Sequence, residues 1–151
     1  EALKLLFENG YDLYVVSNQQ GVALGLYDQT LLDQIDATIQ ARCSEQGFQI
    51  VRFYYSVGGS EDPWRKPRPG MLLAAAQGYG LDLSGAYMIG DKDTDIECAH
   101  AVGCRPILVL RGVTAETEWP SWRHLPERVF ANLLDAARWY LGPMHSGRKD
   151  R

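Results

Sequence analysis

Three short polar clusters follow apolar runs in the sequence, and their residue types could bind a phosphoryl group and a divalent cation. The first cluster is Ser17-Asn18-Gln19-Gln20-Gly21. A serine hydroxyl and successive backbone N–H groups at the end of a strand can hold phosphate oxygens. Because serine, asparagine and glycine are also common turn residues, this segment taken alone is better explained as a turn.

The second cluster combines basic residues with two prolines, in the order Arg65-Lys66-Pro67-Arg68-Pro69-Gly70-Met71. A lysine ammonium can neutralise a phosphoryl group that is being transferred, and an arginine can bind a second anionic or hydroxylated part of a substrate. The alternative interpretation is a solvated basic loop. It would explain the charges but not the two prolines, which make the backbone rigid. Taken alone, the cluster supports both interpretations equally.

The third cluster is acidic and reads Gly90-Asp91-Lys92-Asp93-Thr94-Asp95. A carboxylate at a strand end, followed by another four residues later, suits a hard cation. Asp91 and Asp95 would share one face of a helix that begins at Asp91. Helix capping is the simpler alternative, but it requires one acidic residue rather than three, so the pattern favours a cation site.

The elements that must position these clusters alternate between strands and helices. Short apolar runs predict strands at 13–16, 50–55, 86–89, 107–110 and 128–130, whereas helical spacing predicts helices at 2–8, 28–43, 69–79, 91–102 and 132–141. Segments 17–27 and 56–67 are predicted loops. Such alternation predicts an α/β fold with a parallel sheet, in which ligands bind beyond the carboxyl ends of the strands.

Composition is typical of one globular domain, predicted at 1–141, with a disordered polar tail at 142–151. Of the 151 residues, 46% are hydrophobic and 23% charged, and the net charge of −4 disfavours a nucleic-acid partner. No run approaches the ~20 apolar residues that span a membrane. Three cysteines, at 43, 98 and 104, fit neither a disulfide framework nor a Cys-x-x-Cys zinc site, so they are predicted core residues of a cytoplasmic protein.

In this order, the three clusters resemble signatures of the haloacid dehalogenase (HAD) superfamily, in particular its histidinol-phosphatase and D-glycero-D-manno-heptose 1,7-bisphosphate phosphatase branch. Segment 17–21 is similar to Thr-Asn-Gln-Ser-Gly, segment 65–71 to Arg-Lys-Pro-x-Pro-Gly-Met, and segment 90–95 to Gly-Asp-Lys/Arg-x-x-Asp. The resemblance covers residues 2–110. It implies a Rossmann-like doubly wound parallel sheet.

The resemblance also implies a role for each matching residue. Ser17 and Lys66 would be catalytic, the serine by a hydrogen bond to the phosphoryl group and the lysine by stabilising its charge. Asp91 would ligate Mg²⁺, and Asp95 would orient the surrounding loop. The substrate-binding residues would be Asn18, Gln19, Gln20, Arg65 and Lys92.

Two departures from the family pattern qualify this resemblance. The family's Asp-x-Asp, with its nucleophile and general acid, would lie upstream of Glu1, because the matches at 91–93 and 93–95 already belong to the third cluster. The chain is therefore expected to be N-terminally truncated, to lack the central first strand of the sheet, and to be inactive and unstable alone. Loop 56–64 lacks the Cys and His residues that bind zinc in many members, so no zinc is predicted.

The function implied is a monomeric, Mg²⁺-dependent phosphatase acting on a small phosphorylated metabolite. D-glycero-D-manno-heptose 1,7-bisphosphate is the expected substrate, hydrolysed through an aspartyl-phosphate intermediate. Alternatives are a histidinol-phosphate phosphatase, a polynucleotide 3′-phosphatase, which shares the Arg-Lys-Pro loop, and a non-catalytic phosphate-binding domain.

Overall fold

The computed structural model describes residues 1–110 and 118–141, and it contains alternating helices and strands as predicted. The strands are β1 (Tyr14–Asn18), β2 (Arg52–Ser56), β3 (Tyr87–Gly90), β4 (Arg105–Val109) and β5 (Arg128–Phe130). The helices are α1 (Ala2–Glu8), α2 (Gln20–Ala23), α3 (Gln29–Glu45), α4 (Gly70–Tyr79), α5 (Asp93–Ala101) and α6 (Leu133–Leu141). The tail predicted at 142–151 lies outside the described residues.

All strand pairs are parallel, but the strands form two sheets rather than one. β1 pairs with β2, and β3, β4 and β5 form a three-stranded sheet in that order. Within residues 1–110 and 118–141, no hydrogen-bonded ladder joins the two sheets. Val16 of β1 nevertheless packs against the buried cluster that contains Met88 of β3, so the division falls between these two strands.

Helices cover the strands and bury three apolar clusters. One cluster consists of Leu72, Met88, Cys98, Ala99 and Cys104, a second of Cys43, Phe48 and Ile50, and a third of Ile107, Ala136 and Tyr140. All three predicted core cysteines are buried and free. The strands carry runs of apolar residues rather than an alternating pattern. Such strands require other elements to pack on both faces of their sheet.

Several predicted element boundaries are wrong, and each error has a local cause. Segment 17–27 is not all loop, since β1 continues to Asn18 and α2 follows. Helix α5 begins at Asp93 rather than Asp91, because Lys92 is extended and serves as the N-cap residue. Helix α3 is capped by Asp28 as predicted, with the carboxylate accepting the Leu31 N–H at 3.1 Å.

The apolar stripe predicted for α3 is only partly buried. Leu32 and Cys43 enter the core, whereas Leu31 and Ile35 are exposed. No helix among the described residues combines the length and the apolar character needed to cross a bilayer.

We expect Ile107→Ala to lower the free energy of unfolding by about 2–5 kcal/mol, since Ile107 is 0% exposed at the centre of the three-stranded sheet. Leu24→Ala is the control, because Leu24 is 64% exposed and its truncation should change stability by less than about 0.5 kcal/mol. Urea unfolding followed by circular dichroism measures both. Equal effects of the two substitutions would contradict the assignment of the core.

Candidate active site

The first predicted cluster lies at the carboxyl ends of β1 and β2. Ser17 and Asn18 are the last residues of β1, in register with Tyr55 and Ser56 of β2. The Gln19 N–H donates to the Ser56 carbonyl at 2.7 Å, so one further residue is held to the neighbouring strand. The sheet thus places this polar segment at the edge where ligands of parallel sheets bind.

Asn18 attaches the second cluster to the first. Its side-chain amide donates to the Lys66 carbonyl at 3.0 Å, and its Oδ1 accepts the Lys66 N–H at 2.9 Å. The Lys66–Pro67 peptide bond that follows is cis. Because one amide satisfies both backbone groups of Lys66, Asn18 fixes the main chain from which the lysine side chain extends.

The Lys66 ammonium connects β1 to the third cluster. It donates to the Val16 carbonyl at 2.9 Å and forms an ion pair with Asp95 at 2.7 Å. The two side chains of the pair are only 12% and 6% exposed, so the charges attract each other with little screening by water. Clusters two and three are therefore joined by a buried ion pair.

Asp95 also shapes the turn that carries Asp91. Its Oδ2 accepts the N–H groups of Asp91 and Lys92 at 3.1 and 3.2 Å. Gly90 allows this close approach, because a Cβ there would collide with the Asp95 carboxylate. Asp91 is thereby held, half-buried, just beyond the end of β3, while the Lys92 side chain is exposed.

Arg65 and its neighbours form the outer part of the site. Arg65 Nη2 donates to Gln20 Oε1 at 2.9 Å, which links the first two clusters a second time. Its Nη1 is buried and has no hydrogen-bond partner among the described residues. A buried guanidinium nitrogen without an acceptor is a donor available to a ligand oxygen.

Asp62 organises loop 56–64. In many members of the family that the sequence resembles, this loop carries zinc-binding Cys and His residues. The carboxylate accepts the Ser56 hydroxyl at 2.5 Å, the Trp64 N–H at 2.9 Å and the Gly58 N–H at 3.2 Å. The Ser56 hydrogen bond, with these backbone donors and nearby Arg65, lowers the pKa of the Asp62 carboxyl. An ionised Asp62 side chain therefore connects both ends of this loop.

The donor atoms of the described residues limit which metal ions the site could bind. Among residues 1–110 and 118–141, no group of three or more His, Cys, Asp or Glu residues could hold a metal ion. Mg²⁺ is commonly bound through one or two carboxylates, with phosphate oxygens and waters completing its shell, and the lone Asp91 carboxylate fits that pattern. A structural zinc site needs four N or S ligands.

Cys98 and Cys104 are poorly suited to act as nucleophiles. Burial raises the pKa of the Cys98 thiol to about 12 and that of Cys104 to about 11. Both thiols are therefore protonated at neutral pH, and a protonated thiol is a poor nucleophile.

Comparison with known proteins agrees with this fold and identifies the family. The HAD-hydrolase-like family model matches residues 63–136, which include the second and third clusters. A D-glycero-β-D-manno-heptose-1,7-bisphosphate 7-phosphatase of Pseudomonas aeruginosa is 39% identical over 119 residues, covering 78% of this chain and 67% of the relative. A D-glycero-D-manno-heptose-1,7-bisphosphate 7-phosphatase of Thermosynechococcus vestitus is 30% identical over 154 residues, covering 92% and 79%. The chain therefore belongs to the HAD-like hydrolases.

Within that family, its relatives are heptose 1,7-bisphosphate phosphatases. The crystal structure of the D,D-heptose 1,7-bisphosphate phosphatase from B. bronchiseptica, complexed with magnesium and phosphate, superposes with a TM-score of 0.83 at 30% identity, over 93% of this chain and 79% of that one. The matched region spans only 65% of a further relative, from Pseudomonas putida.

The structure brings the predicted site residues together to different degrees. Asn18, Lys66, Asp95 and the Asp91 turn form one continuous set of contacts, and Gln20 contacts Arg65. Ser17 is bonded instead to Gln19, whose Nε2 donates to the Ser17 hydroxyl oxygen at 2.9 Å. Tyr27, which the sequence did not single out, donates its hydroxyl proton to Gln19 Oε1 at 2.6 Å.

We expect Lys66→Met and Asp95→Asn each to lower the free energy of unfolding by about 3–5 kcal/mol, because each leaves the other charge buried and unpaired. The double variant should lose less than the sum of the two, which a double-mutant cycle from urea unfolding measures. Glu61→Gln is the control: Glu61 pairs with Arg68 but is 89% exposed, so its loss should cost less than about 1 kcal/mol. Fully additive effects at Lys66 and Asp95 would contradict a coupled pair.

Proposed function

We propose that this protein is a Mg²⁺-dependent phosphatase that hydrolyses D-glycero-D-manno-heptose 1,7-bisphosphate. The observation that carries the proposal is the fixed Lys66 ammonium, held by Val16 and Asp95 beside the strand ends that carry Ser17 and Asp91. Relatives with this substrate in their names support the choice of sugar.

The phosphoryl group would be bound from two sides. Ser17 would donate its hydroxyl proton to one phosphoryl oxygen, and the Lys66 ammonium would offset the negative charge that moves onto these oxygens during transfer. Since Lys66 is already held in place, little reorganisation is needed when the charge develops.

The sugar portion would face the residues around Arg65. Its buried Nη1 supplies an unused donor for a hydroxyl or a second phosphate, while Gln20 holds the same guanidinium in place. Asn18, Gln19 and Lys92 are proposed to complete the substrate pocket.

Asp91 would hold Mg²⁺, with Asp95 keeping the Asp91 turn in position. When bound, the cation would polarise the phosphoryl oxygens as a Lewis acid. Asp91 is suited to this role because it follows the end of β3 and its backbone N–H is already bonded to Asp95, which leaves its main chain fixed.

The nucleophile is proposed to be an aspartate upstream of Glu1. Its carboxylate would attack phosphorus, and the bond to the sugar oxygen would break as the second aspartate of the Asp-x-Asp protonates that oxygen. Water would then cleave the aspartyl-phosphate, giving its proton to the same residue, and release inorganic phosphate. All activity tests therefore use the protein as its gene encodes it. We also propose a monomer, as the family resemblance implies, and a cytoplasmic location, because free cysteines suit a reducing compartment.

Substrate choice is tested with a panel of heptose 1,7-bisphosphate, histidinol phosphate and a 3′-phosphorylated oligonucleotide. We expect phosphate release from the heptose bisphosphate with a kcat/KM at least about tenfold above either competitor, because polar groups built for one substrate are left unpaired by another. Preference for histidinol phosphate or the oligonucleotide would replace the proposed substrate. No release from any of the three would favour a non-catalytic phosphate-binding domain.

The role of Asp91 is tested by Asp91→Asn, which keeps the size of the side chain and removes its charge. We expect kcat to fall by about a hundredfold or more, since the charge stabilisation that a bound cation provides is worth several kcal/mol. Asp93→Asn is the matched control, because Asp93 is exposed and bonds only the adjacent Thr94 N–H among the described contacts. Similar losses in both variants would remove Asp91 from the proposed metal site.

A further inference from the structure

The side chains of Tyr27, Gln19 and Ser17 form a continuous series of hydrogen bonds near the end of β1. The proposed function gives a role to Ser17 and Gln19 but none to Tyr27. The Tyr27 hydroxyl donates to Gln19 Oε1 at 2.6 Å, and Gln19 Nε2 donates to Ser17 Oγ at 2.9 Å. All three residues are half-buried. We name this series the Tyr27–Gln19–Ser17 relay.

The direction of these bonds decides what Ser17 can do. An amide has an acceptor oxygen and a donor nitrogen, whereas a hydroxyl has one proton to donate and lone pairs that accept. With Tyr27 donating to the amide oxygen, the amide nitrogen faces Ser17 as a donor. The Ser17 oxygen then accepts this bond, and its single proton stays available for another acceptor.

Gly21 explains why Tyr27 can reach Gln19. The tyrosine ring lies so close to Gly21 that a Cβ at that position would overlap the ring atoms. The Gly21 carbonyl also accepts the Leu26 N–H at 2.9 Å, which closes the turn between α2 and Tyr27. The relay thus depends on a glycine that brings residue 27 back over the end of β1.

We propose that Tyr27 is a positioning residue that, through Gln19, turns the Ser17 hydroxyl proton toward the phosphoryl group of the substrate. This inference rests on the proposed function, because it assigns Ser17 a phosphoryl oxygen as its acceptor. Tyr27 itself does not touch the reacting atoms. Without the Tyr27 hydroxyl, the Gln19 amide is free to turn its oxygen toward Ser17 and accept a hydrogen bond from the serine hydroxyl, which then no longer points to the substrate.

The test is a double-mutant cycle with Tyr27→Phe, Ser17→Ala and the double variant in the protein as its gene encodes it. Isothermal titration calorimetry with inorganic phosphate and Mg²⁺ gives the affinity, and steady-state kinetics with the heptose bisphosphate gives kcat and KM separately. Tyr27→Phe keeps the ring over Gly21 and removes only the hydroxyl. Tyr79→Phe, in a tyrosine outside the relay, controls for loss of a phenol, and thermal melts check folding.

We expect Tyr27→Phe to weaken phosphate binding by about three- to tenfold, the range of one net hydrogen bond. In the Ser17→Ala background the same change should have no further effect, because Tyr27 then has no serine proton to direct. Gly21→Ala, which displaces the ring without altering Tyr27, should resemble Tyr27→Phe.

Three results would overturn the relay. The first is an unchanged affinity in Tyr27→Phe, and the second is an equal loss in both backgrounds, which would mark Tyr27 as a packing residue. A protein that binds no phosphate would overturn it as well. If phosphate binds in a Ser17- and Tyr27-dependent way but the heptose bisphosphate is not hydrolysed, the proposed substrate fails and the relay stands.

Discussion

The buried ion pair between Lys66 and Asp95 is the interaction on which the rest of the site depends. It joins a basic loop to the start of α5, and the same lysine bonds to the Val16 carbonyl of β1. Burying both charges costs desolvation energy, which is offset by their close approach and by the further bonds to the Val16 carbonyl and to the Asp91 and Lys92 N–H groups. Stability alone would not favour such a pair over apolar packing, so a role in fixing the position of a charge accounts better for it.

Asp95 illustrates how one carboxylate can set several features at once. One oxygen bonds the lysine, while the other accepts the N–H groups of Asp91 and Lys92. These bonds satisfy donors at the start of α5 that would otherwise lack partners. The positions of the α5 N-terminus, the Lys66 ammonium and the Asp91 turn therefore all depend on the Asp95 carboxylate.

Much of the fold, and the meeting of the three polar clusters, could be predicted from the sequence, because both depend on local pattern. Apolar runs located all five described strands, and the order of the polar clusters after them indicated the ligand edge. Local pattern gave the wrong start for α5. The Asp95 carboxylate, three residues after Lys92, accepts the Lys92 N–H, and the helix begins at Asp93. Local pattern also failed at Leu31 and Ile35, since periodicity shows that residues share a face but not what covers that face.

Tyr27 could not be found from pattern either, since its contact with Gln19 arises from the path of the intervening turn. The signal available was Gly21, a small residue where the chain returns upon itself. Contacts of this kind require knowledge of which segments meet, and spacing alone does not supply it.

The bonds between Asn18 and Lys66 have a consequence for the order in which the molecule assembles. They connect residues 48 positions apart, so the chain must close a long loop before the lysine is fixed. Closing such loops is entropically costly and slow relative to forming helices. We infer that the bonds that fix Lys66 form late in folding, so a partly folded chain with its helices already formed would still lack them.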